Sequence, residues 1–378
     1  MRIAVFTETA PPNLNGVVRR LDQTLQRLLA GGDEVLVFAP GPVPSEWSGA
    51  EVVPAPYLPL PLYPEIAAGF PRPALRSRLA RFRPDVVHVV NPALLGAGGI
   101  VYARSLGVPV MASFHTHLPK YLSHYGLGAL EPLAWGILRS VHNKAALNLC
   151  ISDPIAEELR GHGIERVHVA WRGGVDADLF NPKRRSREMR ARLTDGNPDA
   201  PLLVSAGRLS AEKGLDLLGG VLPRLPGARL ALVGDGPHRA DLEQQFAGLP
   251  VHFAGYLRGE ELASAVAAAD AFVFTSQTDT LGLVVLEAMA AGVPVVACNS
   301  GGVPDLVRPG WNGLLFEPGD AIHAAAALGR VLGDAGLSER LSLAGRRFAE
   351  RWTWDAGVAD LRGCYERLVA AQTPARAA

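Results

Sequence analysis

Through most of the chain, short runs of Val, Ile, Leu and Phe alternate with longer stretches in which apolar positions return every three to four residues. RIAVF, EVLVF, DVVHVV, VPVMASF, ALNLCI and VHVAW are the candidate strands of the first half. PLLVSAG, RLALVG, VHFAG, AFVFTS and VPVVAC are those of the second. Runs this continuous suit parallel strands covered on both faces, not strands with one wet face. Their alternation with helical patterns predicts right-handed crossovers and an α/β fold.

The alternation occurs twice. Between the two series lies NPKRRSREMRARLTDGNPDAP, rich in Arg and poor in apolar residues, which reads as a boundary with a linker near 173–201. The expected domains are therefore 1–172 and 173–354. The terminal stretch WDAGVADLRGCYERLVAAQ reads as an amphipathic helix with a frayed end. Two doubly wound domains are expected to face a cleft at the C-terminal ends of their strands, where open α/β sheets take ligands.

Composition narrows the function classes. The chain has 378 residues, enough for two cored domains, with 48% hydrophobic and 20% charged residues. Its formal net charge is zero, so nothing global draws it to nucleic acid, and a charged partner needs a local patch. Cys150, Cys298 and Cys364 are scattered and lack a CxxC, which speaks against a disulfide framework or a zinc site. MRIAVFTET does not read as a leader, and LGLVVLEAMAAGVPVVA carries Glu287 and Pro294 and reads as helix, turn and strand, not as a membrane span. With reduced cysteines, the expected location is the cytoplasm.

The loops after the strands hold the candidate chemistry. No GxGxxG follows the first strand, where the sequence is TETAPPNLNGVVRR, and no GxxxxGK[ST] occurs. Nicotinamide and P-loop chemistry are poor readings. In VSAGRLSAEKGLDLL, Arg208 and Lys213 flank a short loop at a strand's end. They can neutralise a diphosphate, although an isolated pair of this kind is more often a solvated surface pair. In TSQTDTLGLVVLEAMAAGVPVV, the loop carries Asp279, and a helix is expected to begin near Leu281, with the N–H groups of Leu281, Gly282 and Leu283 free for an anion. Glu287 sits among apolar neighbours, an unusual place for a carboxylate without a partner. Asp279 and Glu287 would stand roughly 12 Å apart if both were helical, which suits a hexose contact and a ribose contact. Asp279 as a helix cap and Glu287 as a solvated helix residue are the alternatives.

NGVV at 15–18, FHTH at 114–117, RGGVD at 172–176, GRLSAEKG at 207–214, VGDGP at 233–237 and DTLGLVVLEAMAAGVPVV at 279–296 occur in that order across nearly the whole chain. With these motifs the sequence resembles the retaining nucleotide-sugar glycosyltransferases of glycosyltransferase family 4 (group 1), most of all lipid-linked mannosyltransferases and sulfolipid synthases. The resemblance implies a GT-B fold. The acceptor would bind the first domain, the nucleotide-diphosphate sugar the second, and the last helix, 355–378, would pack back on the first. It also implies roles. Arg208 and Lys213 match the diphosphate pair, Glu287 the ribose ligand, and Asp279 the hexose contact, one methylene shorter than the usual Glu. Gly16 matches the glycine whose backbone approaches the diphosphate, and Gly234 belongs to the donor site with VGDGP. His115 matches the histidine of the donor-sugar pocket, Tyr256 lies where the base is flanked, and Leu281, Gly282 and Leu283 form the helix start.

The implied reaction is transfer of a hexose with retention of configuration, by front-face departure of the nucleoside diphosphate. GDP-mannose is the favoured donor and a lipid or glycan the acceptor. The alternatives are a UDP-hexose-dependent glucosyl, galactosyl or sulfoquinovosyl transferase acting on diacylglycerol, a sugar-nucleotide epimerase, or a non-catalytic nucleotide-sugar binding protein. No cofactor and no metal are expected, because the two cations and the helix start supply positive charge to the leaving group. His115 and His117 have HxH spacing but no carboxylate-rich companion segment.

One local charge excess stands out. PRPALRSRLARFRP carries Arg72, Arg76, Arg78, Arg81 and Arg83 around an apolar stripe of Leu75, Leu79 and Phe82. A basic amphipathic helix can lie on an anionic leaflet, which makes the inner face of the membrane a candidate surface. A helix that simply covers the first sheet is the competing reading.

Overall fold

In a computed structural model the described residues are 1–13, 15–60, 63–124 and 126–372. The chain divides into two compact units, Met1–Gly173 with Trp354–Ala378, and Gly174–Thr353.

The first unit is built on an eight-stranded sheet. Its order is Val167–Val169, Leu147–Cys150, Val110–Ser113, Val86–Val90, Arg2–Thr7, Glu34–Pro40, Ala50–Ala55 and Glu46–Trp47. All neighbours run parallel except the last pair. The order reverses at Arg2–Thr7, which pairs with Val86–Val90 on one side and Glu34–Pro40 on the other. Apolar residues fill both faces. Ile3, Val5, Val37 and Val86 face one cluster and Ala4, Phe6, Phe38 and Val87 another. The continuous apolar runs in the sequence reflect this two-sided burial. The helix Trp354–Gln372 belongs to this unit and puts Val358, Leu361, Cys364 and Tyr365 into the first of those clusters. Residues 373–378, the end of the expected terminal helix, lie outside the described residues.

The second unit has a six-stranded, all-parallel sheet in the order Val251–Gly255, Arg229–Val233, Leu202–Ala206, Ala271–Phe274, Val295–Cys298 and Leu314–Phe316. Here the order reverses at Leu202–Ala206. The Arg-rich stretch expected as a linker is instead part of this unit. It forms the helix Arg187–Leu193, and Arg185 and Arg190 both bind Asp270, at 2.7 and 2.5 Å. They also donate to the carbonyls of Ala267, Ala268 and Ala269. An arginine with an acidic partner and helix-end carbonyls to satisfy is structural, and apolar periodicity does not register it.

The basic segment forms the helix Pro73–Phe82, with Leu75, Leu79 and Phe82 buried in the first unit's core. Its apolar stripe is therefore engaged with its own sheet. Arg78 pairs with Glu51 at 2.6 Å and Arg76 donates to Ser105, while Arg72, Arg81 and Arg83 are exposed. All three cysteines are buried thiols, and Cys150 and Cys298 are pushed up to about 12 by desolvation. Among the described residues no helix is long and apolar enough to cross a membrane.

Candidate active site

In the second unit the strand order reverses where Leu202–Ala206 lies between Arg229–Val233 and Ala271–Phe274. The loops leaving the carboxyl ends at such a reversal are where open α/β sheets take ligands. They carry Arg208, Lys213, Gly234 and Asp279, and Tyr256 follows the neighbouring strand Val251–Gly255.

Glycine backbones bring these loops close. Gly234 has φ 143°, and a Cβ there would stand 2.9 Å from the Gly207 carbonyl carbon. Its N–H donates to the Gly255 carbonyl at 2.8 Å, so three strand ends meet at glycine. The loop after Leu202–Ala206 is then tied to the loop after Ala271–Phe274. Thr275 Oγ1 donates to the Lys213 carbonyl at 2.7 Å, and Ser276 and Thr278 hydroxyls donate to that of Glu212.

The charged side chains pair across these ties. Lys213 Nζ reaches both oxygens of Asp279, at 2.9 and 2.8 Å. Each of the two side chains is 23% exposed, open enough for a ligand to reach. Arg208 donates to Glu212 Oε1 at 3.0 Å, and Ser210 donates to the same oxygen at 2.6 Å. Burial alone would raise the Glu212 carboxyl. The hydrogen bonds and the Arg208 charge outweigh it and hold the group at about 2. Glu212 thus stays ionised and anchors Arg208 at the loop, a role that sequence pattern did not single out.

The helix expected near Leu281 begins later, spanning Leu283–Ala290 with Gly282 at φ 87° as its N-cap. Leu281 precedes the cap and is buried, so of the three expected positions only Leu283 is helical. Asp279 does not cap this helix, and the roughly 12 Å helical spacing to Glu287 does not apply, because Asp279 lies in the loop. Glu287 is 2% exposed, which removes the reading of it as a solvated residue. Gly301 and Gly302 back the loop. Gly302 N–H donates to the Asp279 carbonyl at 2.9 Å, and a Cβ on Gly302 would stand 2.5 Å from the Thr280 carbonyl carbon. These glycines were not picked out from the sequence, although the doubled Gly in NSGGVPD is the mark they leave.

In the first unit, Gly16 opens the helix Gly16–Ala30, whose N-cap Asn15 accepts from Val17 and Val18. His115 follows the strand Val110–Ser113. Asn91 Oδ1 accepts from the backbone N–H of His115 at 2.7 Å and of Thr116 at 3.1 Å, fixing the turn. The His115 imidazole is buried, and desolvation, then the charges of Arg20 and His88, push its protonation well below the usual range. His117 is engaged by Glu158 at 2.9 Å. Among the described residues no group of three or more His, Cys, Asp or Glu is placed to hold a metal ion.

The fold is of the GT-B type, and comparison with known proteins defines the class. The chain matches the model of "Glycosyltransferase Family 4" over residues 14–179 and that of "Glycosyl transferases group 1" over 200–334. It belongs to this glycosyltransferase family. It is 39% identical to a sulfoquinovosyl transferase of Arabidopsis thaliana, over 96% of this chain and 72% of that protein. It is 37% identical to a GDP-mannose-dependent alpha-mannosyltransferase of Mycolicibacterium smegmatis, over 98% of each. In fold it is similar to a sucrose-phosphate synthase from Thermosynechococcus elongatus, with TM-score 0.79, 22% identity, and 98% of this chain and 99% of that one covered.

Proposed function

We propose that this glycosyltransferase moves mannose from GDP-mannose to a lipid or glycan acceptor with retention at the anomeric carbon. The observation that carries the reading is the meeting of Arg208, Lys213 and Asp279 at the reversal point of the second sheet, beside the start of the helix that bears Glu287. Arg208 and Lys213 take the diphosphate, Arg208 as a fork and Lys213 as a point charge. Asp279 contacts the hexose and Glu287 the ribose. Tyr256 flanks the base, and Gly234, Gly282 and Leu283 give backbone access. Gly16 and His115 keep the donor-site roles that the resemblance gives them.

In the proposed step the bond from C1 to the phosphate oxygen breaks and the nucleoside diphosphate leaves with the electron pair. The acceptor oxygen forms the new bond on the same face, and its proton passes to the departing phosphate. The cations stabilise charge as it develops on that phosphate, which is where preorganised charge contributes most. The near end-to-end match with GDP-mannose-dependent relatives favours mannose. A sulfoquinovosyl or other UDP-hexose donor is the second reading, supported by the plant relative.

The test is to incubate GDP-mannose and UDP-hexoses with the protein, with and without phosphatidylinositol mannoside, diacylglycerol and glycan acceptors, and to read the anomeric configuration of the product. Transfer with an α-linked product from GDP-mannose is expected. Conversion of a donor without acceptor would indicate an epimerase, and an inverted product would overturn the retaining step.

A further inference from the structure

Glu8 is a buried carboxylate that the transfer step above leaves unused. It follows the strand Arg2–Thr7, at the reversal point of the first unit's sheet, the place where an open α/β sheet takes a ligand. Thr7 Oγ1 donates to the Thr9 carbonyl at 2.8 Å and ties down the turn on which Glu8 sits. Glu8 is 8% exposed, and burial raises its carboxyl to about 7. Among the described residues no cation pairs with it, and the groups that pull its value down are backbone N–H groups of the segment 93–96.

Those N–H groups open the helix Leu94–Ser105. Its N-cap residue, Ala93, has no side chain to offer them. Glu8 reaches across from the adjacent strand instead, and its Oε1 accepts from Ala93 at 3.0 Å and from Gly96 at 2.8 Å. Gly96 permits the approach, since a Cβ there would stand 2.6 Å from Val89 Cγ1 and 3.4 Å from Glu8 Oε1. A helix start at a sheet's reversal point is a ready seat for a phosphate. Here the chain's own carboxylate already fills it. Both hydrogen bonds fall on Oε1, which leaves Oε2 as the accepting edge among the described residues. An ionised carboxylate accepts and does not donate, so its complement is a hydroxyl, and a phosphate is repelled.

We propose that Glu8 holds the acceptor by a hydroxyl next to the reacting one, so that the acceptor is a sugar or other uncharged polyol, not diacylglycerol and not a hydroxyl flanked by a phosphate. This rests on the reading that the chain is a glycosyltransferase whose acceptor binds the first unit. The reacting hydroxyl keeps its own proton for the departing phosphate, and Glu8 takes no part in that transfer. Diacylglycerol has a single free hydroxyl and cannot satisfy both. Thr7, Val90 and Ser113 lie level across three adjacent strands, so Glu8 and His115 follow strands roughly 10 Å apart on one edge of the sheet. With His115 at the donor sugar, the acceptor is held beside it.

Glu8→Gln is the test, because its amide oxygen still serves the two N–H groups while its NH2 turns the accepting edge into a donor. Transfer from GDP-mannose is measured at a pH of about 8, above the Glu8 value of about 7, to mannosyl-diacylglycerol, diacylglycerol and phosphatidylinositol in the same detergent micelles. The wild type is expected to prefer mannosyl-diacylglycerol over either of the others by about tenfold or more in kcat/KM. Glu8→Gln should raise the KM for it by about tenfold or more, as loss of a hydrogen bond to a charged group implies. Affinity for GDP-mannose, read by calorimetric titration, should stay within about twofold, a split that a merely structural role would not give. Glu8→Asp, which retracts the carboxylate by one methylene, should show the same split if Glu8→Gln does not fold. Equal use of diacylglycerol or phosphatidylinositol by the wild type would overturn the proposal, as would an unchanged acceptor KM in the variants. Turnover with a UDP-hexose in place of GDP-mannose, or an inverted product, would overturn the donor and retention reading above and not this one, because acceptor preference and its loss in Glu8→Gln are read with whichever donor turns over.

Discussion

Replacing Gly302 by Ala tests whether the loop that carries Asp279 is held in place from behind. A Cβ at this position would stand 2.5 Å from the Thr280 carbonyl carbon and 2.9 Å from the Leu281 Cα. Ordinary contact begins near 3.4 Å, and both atoms belong to backbone, so no side chain can swing aside. The loop must retreat by about 1 Å. The neighbouring residue is Asp279, whose carbonyl already accepts the Gly302 N–H. A displacement of about 1 Å in a residue that positions substrate costs about 10²-fold in rate. Nucleoside diphosphate release from the sugar nucleotide in the presence of acceptor gives turnover, and calorimetric titration gives donor affinity. Turnover is expected to fall about 10²-fold, with a smaller loss in affinity for free nucleoside diphosphate. Gly136→Ala, in the helix Glu131–His142 with open space around it, is the control, and should keep turnover and gain up to about 1 kcal/mol of stability. Turnover within about threefold of the wild type in a folded Gly302→Ala protein would refute the reasoning.

Three further outcomes follow from the geometry. Glu287→Gln should weaken binding of nucleoside diphosphate and sugar donor alike, whereas Asp279→Asn should spare nucleoside diphosphate, since it frees Lys213, and impair the sugar donor. Titrations with the pattern reversed would exchange the two roles. Glu8 accepts the N–H groups of Ala93 and Gly96, at 3.0 and 2.8 Å, yet burial raises its carboxyl from 4.5 to about 7. A raised value in the folded state contributes stability that is full below about 4.5 and is lost as pH rises through about 7, at most about 3 kcal/mol. Denaturant unfolding at pH 4.5 and 7.5 should therefore show Glu8→Gln gaining on the wild type as pH rises, and a constant difference would mean that Glu8 titrates normally. Because Leu75, Leu79 and Phe82 face inward, any vesicle binding by the helix Pro73–Phe82 must be electrostatic. Co-sedimentation with anionic vesicles at low salt should fade near 0.5 M salt, where the Debye length is about 4 Å, and should drop on charge reversal at Arg76, Arg78 and Arg81. Binding that persists at high salt would contradict this.

The sheets were legible because each core strand is buried on both faces and leaves an uninterrupted apolar run. Ala50–Ala55 and Leu314–Phe316 were missed for physical reasons. The first contains Pro54 and lies near the sheet's edge, and the second is three residues long at the other sheet's edge. Arg208, Lys213 and Asp279 stood out as charges in loops after strands, but the Lys213–Asp279 pair did not, because it joins residues 66 apart. Glu212 was illegible for a related reason. Nothing in the local pattern of GRLSAEKG shows that a carboxylate there is buried beneath its own loop. The apparent linker misled because arginines whose partners are distant carbonyls look the same in sequence as arginines in water.

The most direct measurement is the shift in unfolding temperature of the wild type and of the Arg208→Ala, Lys213→Ala double variant on adding GDP, UDP, GDP-mannose and UDP-hexoses. A ligand present at 100 times its dissociation constant stabilises the protein that binds it by roughly 2.7 kcal/mol. The account predicts that GDP and GDP-mannose raise the wild-type transition and that the double variant loses the response, from an unliganded transition lowered because Glu212 is left buried without the Arg208 charge. A double variant that responds like the wild type, or a wild type that responds to no nucleotide or nucleotide sugar, would contradict the assignment of this site.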